Sequence, residues 1–517
     1  MARPADFDLA AALRSPSFTP AQRDAPALVE LVIAGDERAA AALAGLGGAR
    51  DAIVARLTEG DEGSRARLVG ALGLLARRDG GIELVIAQLA DASPRVRRAA
   101  IGALGKTGGD QARDALVARW DAVDVTPDER RALAEALGKL GGDAALSRLR
   151  ALDAGDDAEL ARRRDRALLV ADRSAKRGED STVRDDVAPP SPVAVTLHCK
   201  PGLAPLLVDE LRGKSIEARA IDDASVEIVL AGPWRELWAS RLWLGAGVRV
   251  SRSIAGEPTE SIARALVAAR PLLAAWTRGP IRWRLEVASG KQRAVIWRVA
   301  KLVATAAPEL VNDPTATTWD IAVVADALEL RPRRIADPRF AYRVADVPAA
   351  SHPTVAAALA FVAGARPDDR VWDPFVGSGL ELVERVRLGP VRSLAGTDLA
   401  EPALVAARAN LAAADVAATL ELGDARAATG TRDLDLVITN PPLGGRVQVD
   451  APALLAQLLP VIARRLARGG RLVWIVPAAA APHLGKLADQ LRLRRITSQT
   501  VDLGGIRGLL ERRDALH

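Results

Sequence analysis

Four short segments between Val371 and Arg446 hold residues of the types and spacing that chemistry needs. The first, Val371-Trp372-Asp373-Pro374-Phe375-Val376-Gly377-Ser378-Gly379, is an apolar strand opening into a glycine turn. Two glycines one residue apart let a backbone approach a ligand closely, and Leu380, Leu382 and Val383 after them predict a helix packed behind the turn. The second, Leu394-Ala395-Gly396-Thr397-Asp398, is a strand ending in a carboxylate. It lies about 20 residues past the glycines, where a doubly wound fold places the acid that accepts a pair of ribose hydroxyls. The third acid, Asp424 in Leu422-Gly423-Asp424-Ala425, is expected beside a nucleobase. The fourth segment runs from Leu434 to Leu443, a buried strand followed by Asn440-Pro441-Pro442. Proline donates no N–H, so carbonyls here stay free to accept. An Asn440 side-chain oxygen and the Pro441 carbonyl can take both hydrogens of an exocyclic amino group and aim its lone pair at an electrophilic methyl, which is catalysis mostly by positioning.

In this order the segments resemble class I S-adenosylmethionine-dependent methyltransferases with the Asn-Pro-Pro motif of amino-group methylases. With Ser351-His352-Pro353 ahead of the first strand and Gly445-Arg446 after the prolines, they resemble more narrowly the THUMP-domain RNA methyltransferases, over roughly residues 192–517. The resemblance implies a Rossmann-like α/β domain and S-adenosyl-L-methionine held by Asp373, Phe375, Gly377, Gly379, Asp398 and Asp424. It implies catalysis by Asn440, Pro441 and Pro442, and an acceptor at N2 of guanosine in tRNA or rRNA. Leu443 departs from it, standing where the family has an aromatic that stacks on the extruded base; Leu443 and Arg446 are the expected base-side contacts. Two other functions share these motifs: a non-catalytic RNA- or protein-binding scaffold, and an amino methyltransferase acting on DNA adenine or protein glutamine.

Elements that position such a site must come from a long chain. At 517 residues it exceeds one core and divides into about three domains. One cysteine, Cys199, excludes internal disulfides, and histidines at 198, 352, 483 and 517 have no zinc-site spacing, so no metal is expected. The opening residues lack a signal-peptide core and no long apolar run exists, which points to the cytoplasm. Net charge is +6, with the surplus after residue 190, as suits a polyanion partner.

Before that point Leu-Gly pairs recur at Leu46-Gly47, Leu72-Gly73, Leu104-Gly105 and Leu137-Gly138. Such a period marks a helical solenoid, and residues 1–171 resemble HEAT-like repeats able to hold a protein partner. Residues 172–192, charged and proline-bearing, are expected to be a linker. Residues 193–345 alternate strands and helices of α+β size. They resemble, through Pro201-Gly202-Leu203, the ferredoxin-like and THUMP modules that hold structured RNA in the named family. Residues 346–517 complete the methyltransferase domain. Seven of ten tryptophans fall between Trp234 and Trp319, and core packing is their favoured role. Arg282, Arg284, Lys291, Arg293, Arg298 and Lys301 are the expected phosphate contacts. His352, beside proline at a helix start, is expected to be a structural cap.

Overall fold

The computed structural model describes residues 7–15, 18–175, 179–251, 258–286, 292–324, 327–348, 350–427, 433–444 and 450–516. Its first part is the expected helical stack. Helices begin on polar caps: Ser93 accepts from the Arg95 N–H ahead of Pro94–Thr107, and Thr126 with Glu129 forms a capping box ahead of Pro127–Leu140. The recurring glycine has a packing cause. A Cβ on Gly73 would stand 2.6 Å from the Ala103 Cβ, one on Gly105 2.7 Å from that of Ala136, and one on Gly138 closer still to Ala167. Each glycine admits the alanine of the next unit, which itself precedes the next glycine by two residues. The last helix, Ala158–Ala175, has Leu169 in that place, and Leu169 packs into the core of the following module.

That module is built on an eight-stranded mixed sheet. Val193–Cys199 lies between Ser225–Leu230 and Trp243–Ser251; the latter pairs antiparallel with Ala327–Pro332, which continues through Trp319–Val324 to Ile281–Glu286. Trp234, Trp276, Trp283 and Trp319 are fully buried, and Trp276 stacks on Trp319 with centroids 6.3 Å apart, so tryptophan here is core. The segment expected to be a linker is instead knitted to this module. The last solenoid helix runs through Ala175, Thr182–Val183 pairs with Thr277–Arg278, and the Trp276 indole donates to the Val187 carbonyl at 2.8 Å. Backbone hydrogen bonds and indole donors outweigh the low apolar content that made this stretch read as loose.

The carboxyl-terminal sheet has seven strands: β1 (Arg370–Asp373), β2 (Ser393–Asp398), β3 (Thr419–Leu422), β4 (Leu434–Thr439), β5 (Leu466–Pro477), β6 (Leu493–Asp502) and β7 (Arg507–Ala515). Their order is β3-β2-β1-β4-β5-β7-β6, parallel except for β7. Parallel strands are buried on both faces. Leu436, Ile438, Val473 and Ile475 join the core shared with the middle module, while Trp372, Val437, Leu472 and Trp474 pack under the helices Ala451–Arg465 and Ala481–Gln490. Among the described residues no helix is long and apolar enough to cross a membrane.

Two contacts lock the middle module to this domain. Pro201 accepts the Asp502 N–H at 3.0 Å, and Gly202 (φ +92°) lies so close to the Thr500 carbonyl that no side chain fits. Arg241, 14 % exposed, forks onto Glu384, 1 % exposed, at 2.6 and 2.7 Å, and the Tyr342 hydroxyl donates to the same carboxylate at 2.5 Å. Glu384 lies on the helix Leu380–Arg387 that follows the glycine turn.

Three stability outcomes follow from this packing and from the Arg241–Glu384 pair. Gly105→Ala should destabilise by about 1–3 kcal/mol because Ala136 cannot retreat, whereas Gly102→Ala, in open space on the same helix, should stabilise by about 1 kcal/mol. Arg241→Ala, which strands Glu384 in the interior, should cost about 3–5 kcal/mol. Urea unfolding followed by circular dichroism measures all three.

Candidate active site

Parallel pairing alone brings the sequence-predicted residues to one edge. Asp373 ends β1 opposite Gly396, two residues before Asp398 ends β2, and Trp372 pairs with Val437, three residues before Asn440. Strand order reverses between β1 and β4, and the carboxyl ends at such a point form the crevice where α/β sheets bind ligands.

The glycine turn is shaped for close approach. Gly377 (φ +50°) and Gly379 (φ +79°) both hold left-handed backbone. A Cβ on Gly379 would touch Ala407 at 3.3 Å, so this glycine lets two helices meet. Among the described residues, one on Gly377 would find only the Phe375 carbonyl at 3.9 Å, which leaves an open side for a ligand. The Gly377 N–H donates to Asp398 Oδ2 at 2.9 Å and the Ala400 N–H to Oδ1 at 3.0 Å, tying turn and acid together. A carboxylate has about four acceptor positions, so Asp398 keeps capacity for hydroxyls. Asn410 braces the turn from behind: its Nδ2 donates to the Ser378 and Ala345 carbonyls, both at 2.9 Å, and its Oδ1 accepts from Val344 and Ala345.

Asp373 and Glu381, 0 % and 3 % exposed, are carboxyls in the interior beside the turn. Burial, with the Glu381 charge adding to it, pushes the Asp373 pKa well above the ordinary carboxylate range. Burial likewise raises Glu381 to about 7, against a hydrogen bond from Ser351. Ser351 Oγ donates to Glu381 Oε1 and accepts from Asn440 Nδ2 at 2.9 Å. The Asn440 side-chain oxygen is buried and has no hydrogen-bond partner among the described residues. His352 caps the helix Pro353–Ala363 through Nδ1, and burial lowers its pKa to about 4. It is a neutral cap near pH 7, in keeping with the sequence.

Other expected residues take different places. Asp424 is gripped by Arg426, whose Nη2 reaches Oδ2 at 2.6 Å and whose N–H reaches Oδ1 at 2.9 Å. Pro441 is buried, and Pro442 and Leu443 are half-buried, with Leu443 packed against the core shared with the middle module. Phe375 packs with the Trp372 cluster on the opposite face, so it does not supply the ring that Leu443 lacks. Arg446, Gly445 and Lys291 lie outside the described residues. Arg282 is corrected: it is 1 % exposed and donates to the Glu179 carbonyl at 2.6 Å, out of reach of phosphate. Arg284 is held by Asp320 and Glu286, Arg298 by Glu260 and Lys301 by Asp165; Arg293 is exposed at its helix start. Sequence reasoning missed Glu381, Glu384 and Asn410, and placed Ser351 only as part of the Ser351-His352-Pro353 segment, without its bond to Asn440. Two acids three residues apart among leucine and valine in Leu380-Glu381-Leu382-Val383-Glu384 were the available signal.

Residues 341–508 match the model of an RMKL-like methyltransferase domain, and residues 49–127 that of HEAT repeats. TrmN from Thermus thermophilus is similar in structure with a TM-score of 0.51 and 24 % identity, over 63 % of this chain and 100 % of that one. SMU.472 in complex with SAH follows at 0.49 and 14 %, over 63 % and 99 %. A predicted N6-adenine-specific DNA methylase from Listeria monocytogenes follows at 0.48 and 13 %, over 62 % and 96 %. No curated protein matches the chain.

The residues present fit the cofactor of that domain: an open-sided glycine turn, and a carboxylate anchored to it with acceptor positions left over. Asp398→Asn, which replaces charged acceptors by a neutral amide, should weaken S-adenosyl-L-methionine binding by about 10- to 100-fold, the value of about 1.5–3 kcal/mol for hydrogen bonds to a charged group. Titration calorimetry on the full chain measures it.

Proposed function

We propose that this chain, an S-adenosyl-L-methionine-dependent methyltransferase by its carboxyl-terminal domain, methylates an exocyclic amino group of RNA, with N2 of guanosine in tRNA or rRNA as the acceptor. The observation that carries this reading is the state of Asn440. Its amide NH2 donates to Ser351, while its carbonyl oxygen, at the carboxyl end of β4, is buried and has no partner among the described residues. A buried acceptor without a donor is costly unless a ligand supplies one. An amino group does so with one hydrogen, and the Pro441 carbonyl accepts the other.

When bound, S-adenosyl-L-methionine supplies an electrophilic methyl on a sulfonium. Asn440 and Pro441 hold the amine so that its lone pair faces that methyl, and orientation of this kind is worth several kcal/mol of barrier. The nitrogen loses a proton to water after transfer, so a strong base is not required, and His352, neutral and capping, is not one. Gly377 and Asp398 would hold the cofactor, with Asp373 buried beneath the turn and Gly379 shaping it, and Asp424 would have to exchange its Arg426 partner to face the adenine. Base stacking falls to no aromatic at position 443, and Leu443 offers apolar contact alone.

Three features support RNA. The positive surplus lies beyond residue 190, residues 193–345 resemble in sequence the ferredoxin-like and THUMP modules, and Arg293 and Arg298 are exposed on one helix there. The helical repeats offer a surface for a protein partner, and the cytoplasm is the expected compartment.

Tritiated methyl transfer into RNA, DNA and protein fractions tests the assignment. Label should enter RNA, and Asn440→Ala should lower the rate by about 100-fold or more while cofactor affinity stays within about twofold. Label in DNA or protein with none in RNA would overturn the acceptor.

A further inference from the structure

Asn440 is held by a hydrogen bond whose direction is dictated two groups away. Ser351 Oγ accepts from Asn440 Nδ2 at 2.9 Å and donates to Glu381 Oε1. A serine hydroxyl has one hydrogen. While Glu381 is ionised that hydrogen belongs to the carboxylate, so Ser351 can only accept, and the NH2 end of the asparagine amide is the end that can give. The carbonyl oxygen is left over, buried and without a partner among the described residues. Once Glu381 takes a proton it becomes the donor, the serine hydrogen is released, and either end of the amide satisfies it.

We propose that Glu381, acting through Ser351, is a positioning residue that sets the orientation of the Asn440 amide and thereby switches the site between presenting an acceptor and presenting a donor to the substrate amine. This rests on the reading of Asn440 as the amine acceptor. Glu381 is placed to act this way by the turn itself: it is the second residue of the helix that starts at Gly379.

Charged and titratable groups surround it from each side. Asp373 faces it from the end of β1, Tyr342 from the segment leading into Ser351, and Glu384 from one turn along its own helix, with Arg241 clamped to Glu384. Burial and the neighbouring Glu381 charge raise the Asp373 pKa well above the ordinary carboxylate range, and the Ser351 hydroxyl points at Glu381 rather than at Asp373. Burial brings the Glu381 transition to about 7. The sign follows: above that pH Glu381 is ionised and the acceptor is presented, and below it the acceptor is lost.

The chain contains three asparagines, Asn312, Asn410 and Asn440, so selective 15N-asparagine labelling of the full chain gives three side-chain NH2 signals. The Asn440 signal should shift with a midpoint near 7, and those of Asn312 and Asn410 should not. Glu381→Gln and Ser351→Ala should each abolish the titration, the second with the carboxylate left in place. In the same samples methyl transfer into bulk tRNA should fall about tenfold per pH unit below the midpoint in the wild type and be flat in Glu381→Gln. An Asn440 signal that ignores pH, or a Glu381→Gln profile identical to the wild type, would overturn the proposal. A titrating Asn440 in a protein that leaves tRNA unlabelled upholds the switch and removes tRNA as the acceptor instead.

Discussion

A single helix cannot carry two buried carboxylates one turn apart unless each has a partner, because an uncompensated ion in the interior costs several kcal/mol. The helix Leu380–Arg387 meets that condition in two directions. Glu384 reaches outward to Arg241 and Tyr342 and fastens the middle module, while Glu381 reaches inward to Ser351 and, beyond it, to Asn440. The helix begins where it does because Gly379 tolerates left-handed backbone and close contact with Ala407. Domain docking and active-site orientation therefore share one structural origin, the geometry of the glycine turn.

The framework of the site was legible because it rests on local rules. A glycine pair after an apolar strand, acids at successive strand ends and an amide before two prolines are each set by backbone geometry. Parallel strand order then forces Asp373, Asp398 and Asn440 to one edge. What was hidden depends on long-range pairing. Glu381 and Glu384 look like the polar face of a short helix, and only the fold reveals that their partners stand at 351, 342 and 241. Asn410 sits in an Ala-rich helix and shows its role only when the segment around Ala345 folds across it.

The arginines show the opposite failure, in which composition overstated exposure. Arg282 lies in a strand that reads as basic and aromatic, yet the strap at Glu179 draws its guanidinium inside. An arginine has five donors, and carbonyls consume them as readily as phosphates do. Trp283 beside it is core for the same reason: both faces of that strand are covered. A surplus of positive charge in a segment is thus a weaker guide than the identity of the cations that remain exposed, among them Arg293 and Arg298.

Leu169 closes the glycine–alanine stack and enters the core of the next module, and Arg166 lies over the Trp297 ring at 5.0 Å beside the Lys301–Asp165 pair. The front third of the chain is accordingly not a tethered appendage but a stiff arm with a fixed root. The outer faces of the repeats are therefore carried at a fixed span from Asn440 rather than on a swinging tether.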